Sequence, residues 1–75
     1  MPTFDRITYS GHAFARMRRR RISTDDVRLT PRVGEGYYDE EDDTWTYVLG
    51  HVAVVISERD DSAHVITVMR VREHT

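Results

Sequence analysis

Apolar and polar positions change rhythm along the chain, and the change divides it into a helical front and a strand-rich remainder. In "YSGHAFARMRRRRIS", residues 9–23, Ala13 and Met17 recur four apart, with Phe14 at the edge of their stripe. That spacing marks one buried helix face. Ser10 is a good N-cap, so the pattern predicts a helix from Gly11 to about Arg20. His12, Arg16 and Arg20 keep the same rhythm and form the adjacent stripe, bordering the buried face rather than opposing it. "RIST" ends this helix and starts another. Ser23 caps it, and Asp25 and Asp26 sit in the first turn, where the helix dipole favours acids. Pro31 is expected to stop this second helix near Leu29, leaving "PRVGEG" as a flexible connection.

Beyond residue 34 the period shortens to two. "EGYYDE" predicts a short strand running into the acidic turn "DEEDD". In "TWTYVLG", residues 44–50, Trp45, Tyr47 and Leu49 share a face. "HVAVVISE", residues 51–58, is β-branched and nearly all apolar, as a central strand should be, and Gly50 allows a tight turn into it. After "RDDS", the strand "AHVITVMRV", residues 63–71, puts Val65, Thr67, Met69 and Val71 on one face. His64, Ile66, Val68, Arg70 and Arg72 fall on the other. The expected architecture is α+β: two N-terminal helices packed on a four-stranded antiparallel β-meander, as a single domain over residues 1–75.

Composition narrows the chemistry. The 75 residues include no cysteine, so no disulfide or thiolate zinc site holds the fold, and the core must come from aliphatic and aromatic packing. The histidines are scattered, and "DEEDD" lacks the glycine and spacing of a calcium loop, so neither a metal nor a cofactor is expected. The longest apolar run, Val52–Ile56, is far too short to span a bilayer, and "MPTFDRITYS" lacks the apolar stretch of a signal peptide. A cytoplasmic protein with no membrane partner is the expectation.

The net charge of -2 hides a division. Residues 1–32 hold eight arginines and three acidic residues, whereas residues 33–75 hold three arginines and ten acidic residues. Every cationic residue other than histidine is arginine, whose planar fork grips phosphate in two places. Two readings of the arginine run stay open. It is a solvated face, weakly paired with the acidic turn, or it draws nucleic acid or an acidic partner protein. His12, near the start of its helix, also has two readings. It is a surface histidine making a local hydrogen bond, or a proton acceptor beside an anion site formed by Ser10, Gly11, Arg16 and Arg20. Thr67, a hydroxyl on a mostly apolar face, is either an ordinary strand residue or a ligand for phosphate or a rim arginine. Tyr37, Tyr38, Trp45 and Tyr47 are either core or stacking platforms for bases. His51 and His74 are expected on the surface.

The string "HAFARMRRRRIS" reads H-A-x-x-R-M-x-x-R-x-I-S. With "ITYS" before it and "VITV" later, it resembles a family of small bacterial and phage domains related to BrnT-type and RelE-type toxins. Those toxins are grouped with the barnase, EndoU and colicin ribonucleases. The resemblance runs from about Ile7 to Val71. It implies a helix pair on a curved antiparallel sheet and metal-independent RNA cleavage by 2′-hydroxyl attack, in a toxin–antitoxin or mobile-element setting. It carries catalytic roles onto His12, Arg16, Arg20 and Thr67, with RNA and an antitoxin protein as partners, the chain being a monomer or homodimer. The general acid is unassigned, with Tyr47 and His64 as candidates. Arg21 departs from the pattern, because the residue before the isoleucine is often glycine there.

Overall fold

The computed structural model describes residues 6–59 and 62–71. Chain order is β1 (Arg6–Tyr9), α1 (Gly11–Arg20), α2 (Thr24–Val33), β2 (Glu35–Asp39), β3 (Thr44–Leu49), β4 (Val52–Arg59) and β5 (Ser62–Arg70). The fold is α+β, as expected, but among the described residues the sheet has five strands rather than four, in the order β1-β5-β4-β3-β2. Strands β2 to β5 pair antiparallel, and β1 joins β5 in parallel, Ile7 opposite Ala63 and Tyr9 opposite Val65. The sheet is therefore mixed. Arg72 and His74 lie outside the described residues. Among the described residues, no helix is long and apolar enough to cross a membrane.

Both helices lie on one face. Ala13 and Met17 of α1, with Ile22 and Val27, form one buried cluster with Tyr47, Val54, Ile56, Ala63, Val65 and Val68. Burying one such Val, Ile or Met side chain contributes about 1.5–3 kcal/mol, more than an exposed ion pair of this charged chain would. Because strand side chains alternate, the register defines an inner, helix-covered face and an outer one. Val54 and Val68, both fully buried, face each other on the inner side, so Val55 and its partner Thr67 point outward.

One irregularity shifts this pattern. Val55 pairs with Thr67 but Ile56 pairs with Val65, so Ile66 is an extra residue in β5. This β-bulge changes which positions face inward. Ala63, Val65 and Val68 are all fully buried although two residues, Ile66 and Thr67, separate the last two. The expected face of Val65, Thr67 and Met69 is thus broken, and Met69 is exposed.

The second helix is also longer than expected. It continues past Pro31 to Val33. Pro31 removes the N–H that would bond the Val27 carbonyl, but it lies within a turn of the helix end, so little of the ladder is lost. Its ring is buried. The Gly34 N–H donates to the Thr30 carbonyl at 2.8 Å, closing the helix. What looked like a flexible connection is a tight corner. A Cβ on Gly34 would sit 2.5 Å from both the Thr30 and the Val48 oxygens. Gly50, at φ +61, does form the turn between β3 and β4.

Candidate functional site

The site begins with how α1 is held. Ser10 caps it, its hydroxyl accepting from the Ala13 N–H at 3.0 Å. The same hydroxyl donates to the Ile66 carbonyl at 2.7 Å, and the Ser10 N–H donates to the Val65 carbonyl at 2.9 Å. The bulge in β5 therefore seats the start of the helix. At the far end, Arg70 of β5 donates from Nε to the Arg20 carbonyl at 2.9 Å, with Nη2 3.4 Å from the Arg21 carbonyl. A guanidinium there satisfies otherwise unpaired helix carbonyls and complements the negative dipole end. Arg21 makes the exit in the left-handed region, at φ 56 and ψ 45, where a glycine is at ease.

The helix is thus fixed at both ends on β5, and its two flanks differ. Phe14 leans outward onto Tyr9 of the edge strand β1, with ring centroids 5.0 Å apart. His12, Arg16 and Arg20 lie on the opposite flank of the buried Ala13 and Met17, toward the middle of the sheet. Successive members rise about 6 Å along the axis. Arg16 is half-buried, whereas His12 and Arg20 are exposed. Among the described residues, none of the arginines from Arg16 to Arg21 forms an ion pair.

The acidic turn does not neutralise them. It joins β2 and β3 at the edge farthest from β1, beside the start of β3, whereas α1 ends level with Arg70, beside the end of β3. Three strand spacings, about 14 Å, separate β5 from β2.

His12, Arg16 and Arg20 therefore come together, but Thr67 does not join them. It lies on the outer face, behind the sheet. The bulge puts His64 on that same outer face, where Nδ1 lies 2.8 Å from the Thr8 hydroxyl. Tyr47 is 4% exposed, and its hydroxyl has no hydrogen-bond partner among the described residues. Burial, and then the charge of Glu58, push its pKa above the ordinary tyrosine value. Trp45 stacks on it at 5.8 Å, while Tyr37 and Tyr38 are exposed on β2. Neither candidate acid thus shares the α1 flank: one is buried and the other is behind the sheet. His51 is on the surface, as expected. Arg70 is the residue that sequence reasoning missed, because nothing local to β5 links it to a helix fifty positions away. No group of three or more His, Cys, Asp or Glu among the described residues is arranged to hold a metal.

The site is a cationic rail with one imidazole at its start, held on a rigid support. Chemically it can bind successive anionic groups and accept a proton beside the first. Among known proteins, no curated protein and no solved structure matches the chain. One family model does, over residues 9–70, from the end of β1 to the end of β5. The chain belongs to the family described as Domain of unknown function (DUF4258).

Proposed function

We propose that the chain is a metal-independent endoribonuclease of the kind found in BrnT-type and RelE-type toxins, and that the His12–Arg16–Arg20 flank of α1 is its phosphate-binding wall. The observation that carries this reading is the alignment of one imidazole and two guanidiniums on a helix fixed at both ends, with no carboxylate paired to the arginines among the described residues. His12 accepts the proton of an RNA 2′-hydroxyl. The 2′-oxygen bonds to phosphorus, the bond from phosphorus to the 5′-oxygen breaks, and that oxygen takes a proton from solvent. Arg16 and Arg20 stabilise the charge that grows on the phosphorane. The products are a 2′,3′-cyclic phosphate and a 5′-hydroxyl. In a toxin–antitoxin setting, an antitoxin protein would silence the chain by covering this flank.

The test is cleavage of single-stranded RNA by the purified chain in a chelator. The reading requires cleavage that His12→Ala reduces by about two orders of magnitude or more, and that a 2′-O-methylated RNA resists. Equal cleavage by the wild type and His12→Ala contradicts it.

A second reading is a nucleic-acid-binding module that does not cut. It is favoured by the separation of Tyr47 and His64 from the α1 flank. It requires salt-sensitive RNA binding without strand breaks, unchanged by His12→Ala and weakened by Arg16→Ala or Arg20→Ala.

A further inference from the structure

The opposite margin of the sheet carries a surface that RNA does not fit. Strand β2 is exposed at all five residues and, among the described residues, pairs only with β3, so one row of its backbone N–H and C=O groups has no described strand beside it. Around it stand Glu35, Asp39, Glu40, Glu41, Asp42 and Asp43, with no cationic residue between positions 33 and 43. No ion pair joins these carboxylates to another side chain among the described residues. They are not gathered round a point that would hold a metal. They line an edge.

The two tyrosines of β2 add to this. Tyr37, opposite Thr46, lies on the outer side, and Tyr38, opposite Trp45, on the inner side. The Tyr37 hydroxyl donates to Glu35, and that of Tyr38 donates to Asp43 at 2.6 Å. Each face of the edge therefore presents an aromatic ring beside a carboxylate, a combination that suits a lysine or arginine side chain.

We propose that the free edge of β2 accepts an extended, lysine- or arginine-rich segment of a partner protein as a sixth strand. Backbone hydrogen bonds supply the pairing, and alternate basic side chains reach the Tyr37–Glu35 and Tyr38–Asp43 pairs on the two faces. A second copy of the chain paired about the centre of this strand is disfavoured. In a two-fold antiparallel pairing centred on Tyr37, Glu35 of one copy would face Asp39 of the other, and like charges directly opposite are destabilising. The surface is independent of the α1 flank, and its test does not depend on RNA cleavage.

The probe is a short peptide of alternating lysine and valine, titrated into the isotope-labelled chain and followed by amide shifts and hydrogen exchange. Saturable binding is expected, with β2 amides protected. The double variant Glu35→Lys/Asp39→Lys is expected to weaken it at least about tenfold, and His12→Ala to leave it unchanged. A peptide N-methylated at alternate residues keeps the charge but cannot pair as a strand, and leaves the protein unaltered. It should bind at least about tenfold more weakly. Equal binding of the methylated peptide would overturn strand addition, as would unsaturable binding, perturbation away from β2, or self-association of the chain through this edge.

Discussion

Helix α1, seated on β5, and strand β2, at the far edge of the sheet, each adjoin a dense run of one charge sign, but they are held in different ways. The helix rests on β5 through the Ser10 contacts at one end and Arg70 at the other, with Ala13 and Met17 buried between. Its own backbone hydrogen bonds close within it, so only side chains are offered outward. Among the described residues the strand is paired on one side alone, and it offers side chains and backbone together. Charge alone therefore does not describe a surface. A helix flank presents a fixed row of point contacts suited to phosphates, whereas an open strand edge suits another extended chain.

The largest expected effect comes from unseating β2 while sparing α1. Gly34→Ala places a methyl against two carbonyl oxygens, and should destabilise the fold by about 3 kcal/mol, read from chemical denaturation. If the loss is under about 1 kcal/mol, the corner is looser than its geometry implies.

A smaller effect separates the two charge runs. The double variant Arg16→Ala/Arg20→Ala should weaken single-stranded RNA binding and lower the slope of its logarithmic salt dependence by about 0.7 for each lost phosphate contact. Glu40→Gln/Asp42→Gln should leave that slope unchanged. Equal effects of the two pairs would mean that RNA senses only net charge.

Smaller still are changes that sharpen how each region is anchored. Tyr47 lies under β2, where a Cβ on Gly36 would come within 2.8 Å of its ring. Tyr47→Phe removes a buried hydroxyl without a partner among the described residues, and should stabilise the fold by about 1 kcal/mol in thermal denaturation. The sign of the pH effect follows from the raised pKa. The neutral phenol is favoured in the folded state, so its contribution is complete below the unfolded tyrosine pKa and is lost as pH rises through the higher folded value. Tyr47→Phe should remove that share of the alkaline decline. At the end of α1, Arg21→Gly relieves a left-handed arginine and should add about 1 kcal/mol, with the Arg70 contacts to the backbone retained.

Much of α1 was legible in the sequence because its signals are local. The Ser10 cap, the Ala13–Met17 spacing and the adjacent His12–Arg16–Arg20 stripe all lie within one short segment. So was the Gly50 turn, where a residue free to take positive φ joins two β-branched runs. Three features were not legible. "RITY" is too short to announce β1, and its parallel partner lies more than fifty residues away. Pro31 reads as a stop, but it lies in the last turn of the helix, where one hydrogen bond is lost, and its ring is buried. The bulge at Ile66 leaves no mark in "VITV", since every residue there suits a strand on either face. That last omission moved Thr67 away from the candidate site and brought His64 to its face.

On the proposed reading, RNA engages the flank of α1 and not the outer face or the acidic edge. This is tested most directly by titrating a short single-stranded RNA into the isotope-labelled chain and mapping amide shifts. Shifts are predicted from Gly11 to Arg21 and near Arg70, with β2, His64 and Thr67 unmoved. Saturable shifts centred on His64 and Thr67, with α1 unchanged, would contradict it.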